Sequence, residues 1–240
     1  LMLCRLGDFD FDISCRSPKN YKRFEPYAVA QGNAGLSVEV SDEQLKAEEK
    51  TAFAEQGIVF GPSACEFTAV HRQLADWLPL HNAFVMHSAV IEANGEGIAF
   101  AAHSGTGKTT HMLLWQRLLG EKMIIVNGDK PIIRFFDGEP DTPYAYGTPW
   151  NGKESMGCNM KTRLRHICLI ERADENSAVP LETDAAVSLL FNQTYMPRDP
   201  AAVAATMALM TRLINSCRLW RIRCNMDISA AETAYKAICG

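Results

Sequence analysis

From position 83 onward, the hydrophobic and polar residues alternate between the periods typical of strands and of helices. Two apolar runs, 84–91 and 98–101, are separated by Asn94-Gly95, a dipeptide typical of a tight hairpin turn. Apolar residues are then frequent over 108–119, and Gly120 follows as the expected helix stop. The pattern therefore predicts two hairpin-connected strands that lead directly into a helix.

The rest of the chain continues the mixture of strand and helix signals. The pattern predicts further strands at 122–129, 132–136, 144–146, 166–170 and 218–224 and helices at 184–192, 200–217 and 229–238. Asp137-Gly138 is placed to turn the chain between the second and third of these strands. Interleaved strands and helices of this kind favour an α/β layered domain with an antiparallel component.

The first 82 residues have a different character, with short apolar-polar alternations between turn-rich stretches. Residues 9–13 and 36–40 read as antiparallel strands, and 57–61 as another short strand. Helices are expected to start after Ser41 and to cover 64–78. We therefore predict a β-rich extension or cap over 1–82 and the main α/β domain over 83–240.

Composition narrows the class of protein. Hydrophobic residues make up 47% and charged residues 22% of the chain, as in ordinary globular proteins, and the net charge is −4. An acidic balance argues against nucleic acid as a partner, and no apolar run reaches the roughly 20 residues of a membrane helix. Eight cysteines without metal-ligand spacing are interpreted as free thiols, which suits a reducing cytoplasm.

The segment Ser104-Gly-Thr-Gly-Lys-Thr-Thr110 follows a predicted strand and opens a predicted helix, which is the context of a phosphate-binding P-loop. In such a loop the backbone around Ser104, Gly105, Thr106, Gly107 and Thr110 surrounds the phosphates. Lys108 reaches the transferred phosphate, and Thr109 can ligate Mg²⁺. Ala102 stands where the usual pattern has its first glycine. If that position needed a positive φ, alanine would cost about 1–2 kcal/mol.

Asp129 ends the predicted strand that follows the P-loop helix. A carboxylate at the end of a neighbouring strand is a common second anchor for Mg²⁺, so Asp129 is a candidate metal ligand and catalytic residue. The alternative is an ordinary turn aspartate within Asn127-Gly-Asp129.

These residues resemble a known family. The P-loop resembles that of ATP-dependent phosphoenolpyruvate carboxykinase, and His87-Ser-Ala-Val90 followed by strand, loop, helix and Asp129 resembles the HPr kinase/phosphorylase catalytic domain. The segments 127–131, 146–154 and 171–181 are similar to small bacterial HPr kinase-like proteins. Over 83–240 the resemblance implies a P-loop fold with a mixed central sheet flanked by helices, an ATP–Mg²⁺ site and phosphoryl transfer to a hydroxyl.

The resemblance adds two residues to the candidate site, and the sequence differs from HPr kinases in two respects. His87 matches a histidine before the P-loop, although a hydrogen-bonded core histidine is an equally open interpretation. The loop 148–154 is a candidate lid in which Lys153 acts as a catalytic cation, the alternative being a packed Trp150 and a solvated Lys153. Gly128 stands where HPr kinases have a second aspartate, and their HPr-binding C-terminal segment is not recognisable.

We therefore expect a cytoplasmic ATP- and Mg²⁺-dependent kinase, acting on a hydroxyl of a peptide, protein or small metabolite. The alternative is a nucleotide-binding regulatory or scaffold protein without catalysis, suggested by Ala102 and the single Asp129. An ATPase that drives motion is a third and weaker hypothesis. A homo-oligomer is compatible with the resemblance, and no membrane partner is expected.

Overall fold

The computed structural model describes residues 1–57 and 59–240. Its strands are β1 (Met2–Leu6), β2 (Phe9–Ser14), β3 (Leu36–Glu39), β4 (Ala83–Val85), β5 (Ala89–Ala93), β6 (Glu96–Ala101), β7 (Met123–Asn127), β8 (Ile132–Phe136), β9 (Glu139–Tyr146), β10 (Lys161–Arg172), β11 (Ser177–Pro180) and β12 (Arg218–Cys224). Its α-helices are α1 (Pro18–Phe24), α2 (Asp42–Gln56), α3 (Pro62–Trp77), α4 (Lys108–Leu119), α5 (Thr183–Gln193), α6 (Pro200–Ser216) and α7 (Ile228–Cys239). The chain is therefore an α/β protein.

Local sequence signals explain where several helices begin and end. Ser41 caps α2 in a capping box with Gln44, and Asp199 caps α6 by accepting from the backbone N–H of Ala202. Gly57 ends α2 in the left-handed conformation that glycine adopts without steric penalty. These caps satisfy backbone groups at helix ends that would otherwise lack partners.

The main sheet contains parallel and antiparallel strands, and the order of its strands determines where the candidate site lies. The strands run β4-β8-β9-β10-β6-β5-β7, and β12 pairs with the later part of β10. Strands β6 and β12 are parallel to β10, whereas β5 is antiparallel to both β6 and β7. The carboxyl ends of β6, β10 and β12 consequently meet at one edge of the sheet, where ligands bind in open α/β sheets.

Within residues 1–57 and 59–81, a separate three-stranded sheet, β1-β2-β3, packs with α1, α2 and α3. Strands β2 and β3 pair in parallel, so the expectation of antiparallel strands at 9–13 and 36–40 is wrong. The expectation of a β-rich segment is wrong, because these helices hold more residues than the strands do. Apolar residues of α3 bury against the aromatic strand residues, so the segment needs the helix to complete its core. The strand predicted at 57–61 lies partly outside the described residues, and the flanking Gly57 and Gly61 end α2 and precede α3.

This N-terminal segment shares a hydrophobic core with the main sheet. Phe11, Phe24 and Leu74 bury in one cluster with Ile132 of β8 and Trp150 of the loop after β9. Arg134 of β8 also lies over the ring of Phe9, with its guanidinium carbon 3.6 Å from the ring centroid. The segment is thereby fixed against the part of the sheet that carries the loop after β9.

The strand predicted over 84–91 is split in two by its pairing. Strand β4 pairs with β8, and β5 pairs with β6 and β7. The connecting residues cross between these partners, and the backbone N–H of His87 donates to the carbonyl of Gln193 at 2.6 Å. The crossing places His87 outside both ladders, close to the end of β7.

Two other expectations concern the whole chain. All eight cysteines are free, in agreement with the interpretation of the cysteine spacing. Within residues 1–57 and 59–240, none of the helices combines the length and apolar character needed to cross a bilayer.

Candidate functional site

The loop between β6 and α4, residues 102–107, is referred to as the glycine loop. Gly105 and Gly107 adopt positive φ angles of 78° and 126°. A Cβ added at Gly105 would meet no atom within 4 Å, so the space in front of this residue is open. Glycine is therefore required here for its backbone conformation, and the loop leaves room for a ligand beside the first turn of α4.

Ala102 causes no strain at the start of the glycine loop. The non-glycine residues with positive φ in the described chain are Asp8, Asn82, Asn94 and Ser155, so Ala102 lies in an ordinary backbone region. Its methyl group is buried in the cluster that also holds Trp115 and Met112 of α4. The energetic cost considered for alanine at this position does not arise.

Two cations hold the carbonyl groups of the glycine loop. The Nζ atom of Lys108, a buried residue, donates to the carbonyl of Ala102 at 3.0 Å. Arg172, at the end of β10, donates from Nε to the carbonyl of Thr106 at 3.0 Å and from a second nitrogen to the carbonyl of Gly105. Burial lowers the pKa of Lys108, and the charge of Asp129 opposes that effect. Lys108 and Asp129 therefore belong to one electrostatic site.

Asp129 is paired on both of its carboxylate oxygens. Its Oδ1 lies 3.0 Å from His87 Nε2, and its Oδ2 lies 2.6 Å from Lys130 Nζ. Burial raises the pKa of this carboxyl, but the hydrogen bond from His87 and the charge of Lys130 outweigh burial and lower the pKa well below its usual range. Asp129 is consequently a charged carboxylate at neutral pH.

Asn127 fixes the backbone on which Asp129 stands. Its Oδ1 accepts from the backbone N–H groups of Asp129 at 2.9 Å and Lys130 at 2.8 Å, and its Nδ2 donates to the Thr148 carbonyl and hydroxyl. The backbone N–H of Ser88 also donates to the Asp129 carbonyl at 2.9 Å. Neither Asn127 nor Lys130 was singled out from the sequence. The signal available for Asn127 was the tendency of asparagine to bond the backbone two residues on.

Gly128 explains why a single carboxylate stands at the end of β7. A Cβ at this position would lie 2.6 Å from the carbonyl oxygen of Asn151 and 3.0 Å from that of Met156. The loop after β9 thus passes directly over Gly128, and a second aspartate there requires that loop to move.

The 147–160 loop, which connects β9 to β10, is packed rather than arranged as a lid. Trp150 is buried, stacks on Phe67 with ring centroids 5.2 Å apart, and donates from Nε1 to the Phe67 carbonyl at 3.0 Å. The structure therefore shows the packed alternative for Trp150, because aromatic residues of the N-terminal segment bury its ring. Lys153 is exposed, and no described residue makes a hydrogen bond or ion pair with it.

An open cavity of about 610 Å³ lies on the other side of the glycine loop. Its walls come from Gly105, Gly107 and His111 and from the loops that follow β10 and β12. Because β5 and β7 lie beyond β6 in the opposite direction, the glycine loop stands between this cavity and Asp129 in the sheet order. A cavity of this size matches those that hold small organic ligands.

Comparison with known proteins adds little to this geometry. No family model matches the chain, and no curated protein matches it. Among solved structures, the chain is similar to the HPr(Ser) kinase/phosphatase from Coxiella burnetii, with 9% sequence identity, a TM-score of 0.27, and coverage of 55% of this chain and 88% of that chain. A TM-score of this size carries no argument about fold or activity.

The donor set around Asp129 limits which metal the site can take. No group of three or more histidine, cysteine, aspartate or glutamate side chains in the described chain is arranged to hold an ion. Mg²⁺ is commonly bound through one or two protein oxygens, with phosphate and water completing its shell. The donor set around Asp129 therefore does not fit a metal enclosed by protein ligands alone.

Proposed function

We propose that the chain is an ATP- and Mg²⁺-dependent phosphotransferase that moves the γ-phosphate to a hydroxyl of a peptide, protein or small metabolite. The observation that carries this proposal is geometric: β6 and β7, both antiparallel to β5, end at the same sheet edge, and they bring there the open glycine loop with buried Lys108 and the Asp129 carboxylate held by His87 and Lys130. A P-loop arrangement of the HPr kinase type is the form of site that the proposal implies.

In this proposal the glycine loop and the first turn of α4 bind the phosphates through backbone N–H groups. Gly105 and Gly107 give the loop its open concave shape, and the positive end of the α4 dipole favours the negative charge of the ligand. Lys108 exchanges its contact with the Ala102 carbonyl for one with the transferred phosphate. Mg²⁺, held by Thr109 and Asp129 on the phosphates, would supply charge neutralisation.

The proton of the acceptor hydroxyl needs a base with a suitable affinity for it. Asp129 is a poor proton acceptor because its pKa lies well below the usual range. If His87 carries its proton on Nε2 and donates to Asp129, its Nδ1 is left to receive the hydroxyl proton. Asp129 thus orients His87, and Lys130 takes the place of Lys153 as the cation beside the carboxylate.

The test is transfer of label from γ-labelled ATP, with Mg²⁺, to separated protein and metabolite fractions of the host. Lys108→Ala and Asp129→Asn are expected to lower transfer by roughly 10²–10³-fold or more, because each removes charge stabilisation of the transferred group. Lys122→Ala, at an exposed lysine beyond the end of α4, is the matched control. Circular dichroism of each variant establishes that the fold is retained. Normal transfer by either site variant would refute the proposed roles.

The second candidate function is a nucleotide-binding regulatory or scaffold protein without transfer. It is favoured by Gly128, whose close contact with the 147–160 loop leaves no room for a second aspartate directly before Asp129. Binding of Mg²⁺-ATP by the wild type, together with absence of label from every fraction, would support this function over the kinase.

A further inference from the structure

One buried donor beside the glycine loop has no partner within the protein. His111 lies on the first turns of α4, is 1% exposed, and its Nε2 accepts from the indole N–H of Trp115 at 3.1 Å. Burial lowers the pKa of His111 to about 4, so the ring is neutral at pH 7. Because Nε2 accepts, the neutral ring carries its proton on Nδ1, and this atom has no hydrogen-bond partner among residues 1–57 and 59–240.

The ring of His111 is held in place and lines the cavity next to the glycine loop. Phe100 of β6 contacts it edge-on, with ring centroids 5.1 Å apart. The cavity has a volume of about 610 Å³ and also contacts Gly105, Gly107 and Thr110. A buried donor without a partner is rare in native proteins. The residue that carries this donor lines an open cavity, so a ligand bound there can supply the acceptor.

The opposite wall of the cavity is built from two loops that are fixed to each other. Asn225, after β12, donates from Nδ2 to the Asp174 carbonyl at 3.1 Å, and its backbone N–H donates to Asn176 Oδ1 at 2.9 Å. Beside them the side chain of Met226 is 77% exposed, although it is large and apolar. Ile170 and Ala173 continue this wall at the end of β10. The wall therefore places the exposed apolar side chain of Met226 beside polar groups of the two fixed loops, where a flat ligand group can pack against it.

We propose that this cavity binds the sugar and base of a nucleotide whose phosphates lie in the glycine loop, with His111 Nδ1 donating to the ligand and Met226 covering the base. The inference rests on the proposed function only in placing phosphates at the loop. A nucleoside has the polar edge that His111 needs and the flat apolar face that Met226 needs. An inorganic polyphosphate has neither a ring nor an apolar face.

The experiment compares the binding of ATP with that of inorganic tripolyphosphate by calorimetry, both with Mg²⁺. The wild type is expected to bind ATP at least roughly tenfold more tightly, because the added ring contacts are equivalent to one or two net hydrogen bonds and buried apolar area. His111→Leu and Met226→Ser should each weaken ATP binding by roughly three- to tenfold and change tripolyphosphate binding by less than about twofold. Met207→Ser, at a half-exposed methionine of α6, is the matched control and should change neither.

Three outcomes overturn this inference, and they are distinguishable. Equal affinity of the wild type for ATP and tripolyphosphate would refute the nucleoside cavity while leaving the phosphate site intact. Unchanged ATP binding in both variants would refute the roles of His111 and Met226. Binding of neither ligand would refute the proposed function together with this inference. If His111→Leu fails to fold, Met226→Ser still decides, because its side chain lies on the surface.

Discussion

Gly105 of the glycine loop and Gly147 of the 147–160 loop both have to be glycine, but for different physical reasons. Gly105 has a positive φ and open space around it. Gly147 has no positive φ, and a Cβ there would overlap the Cys158 carbonyl and lie 2.7 Å from the Val126 carbonyl. Gly105 is needed for the backbone freedom of glycine, and Gly147 is needed for its small size.

This difference between open and filled space distinguishes the loop that can receive a ligand from the loop that supports the site by packing. The glycine loop is shaped around empty space, whereas the 147–160 loop fills the space above β7 and supports Asn127 and Gly128. A glycine-rich stretch in a sequence is therefore not by itself a sign of a ligand loop, because close backbone packing requires the same residue.

The largest expected effect is that of Gly147→Ala on stability. The overlap of the new methyl group with two carbonyl oxygens involves backbone that cannot rotate away, so we expect a loss of about 3–5 kcal/mol in the free energy of unfolding. This corresponds to a fall of roughly 6–20 °C in Tm for a chain of this length. Gly138→Ala, which meets no atom within 4 Å and has no positive φ, is the control and should stay within about 0.5 kcal/mol. Equal stability of the two variants would show that the 147–160 loop is not tightly packed.

A second effect tests the burial of the same loop against α3. Trp150 contacts His71, whose pKa is lowered to about 3, mainly by burial and then by the charges of Lys130 and Arg72. Unfolded histidine titrates near pH 6.5, so below that pH the unfolded state binds the proton and the folded state does not. The stability contributed by neutral His71 is present above about pH 6.5 and is lost as the pH falls, by about 1.4 kcal/mol per pH unit and by roughly 3 kcal/mol at pH 4.

Urea unfolding at pH 7 and pH 4 measures this loss, with His71→Leu as the comparison. The variant lacks the titrating group, so its decline between the two pH values should be smaller than that of the wild type. His111 contributes to the decline of both proteins because its pKa is also lowered by burial, to about 4. Identical declines would mean that His71 is protonated in the folded state and that the loop does not exclude water from it.

An intermediate effect is expected for Gly105→Ala, with Gly95→Ala as its matched control. Both glycines have φ near 77° and open surroundings, and Gly95 lies in the β5–β6 turn. Each variant should lose about 1–2 kcal/mol of stability, measured by thermal unfolding. Only Gly105→Ala should also weaken tripolyphosphate binding. Weakening by both variants would indicate that the binding loss follows from stability rather than from loop shape.

The smallest effect is expected for Lys153→Ala, because this side chain is solvated in the 147–160 loop. Transfer of phosphate should change by less than about twofold, as for other surface substitutions without a specific contact. A loss comparable to that of Lys108→Ala would contradict the conclusion that the 147–160 loop only supports the site, since it would place this loop over the ligand during the reaction. The ratio of kcat/KM between variant and wild type is the measurement.

Much of the fold follows from local sequence signals. The helix Lys108–Leu119, the Asn94-Gly95 turn and the hairpin of β8 and β9 are confirmed because periodicity and turn residues specify them locally. The split between β4 and β5 was missed, since an apolar run does not reveal that its two halves pair with different strands. The helical content of the first 81 residues was underestimated for a similar reason: α1 is short, and its partner α3 is distant in sequence.

The candidate site likewise contains residues that local sequence signals reveal and residues that they do not. Lys108 and Asp129 were proposed because each follows a strand signal, and their roles stay predictions, although the charge of Asp129 opposes the lowering of the Lys108 pKa by burial. Asn127 and Arg172 also make contacts with residues distant in sequence, Thr148 and Thr106, which spacing does not reveal. Lys130 pairs with its neighbour Asp129, and an adjacent lysine is not by itself a signal of a site. The packing of Trp150 could not be decided from the sequence because it depends on Phe67, which lies far earlier in the chain.

The two bonds from Arg172 to the carbonyls of Gly105 and Thr106 have a consequence for kinetics. They tie the glycine loop to the end of β10 before any ligand arrives, so the loop loses its conformational freedom during folding and not on association. A preorganised loop has less entropy left to lose when it binds. The association rate of phosphate ligands should then be limited by diffusion and charge. Removing the two Arg172 hydrogen bonds should chiefly raise the dissociation rate.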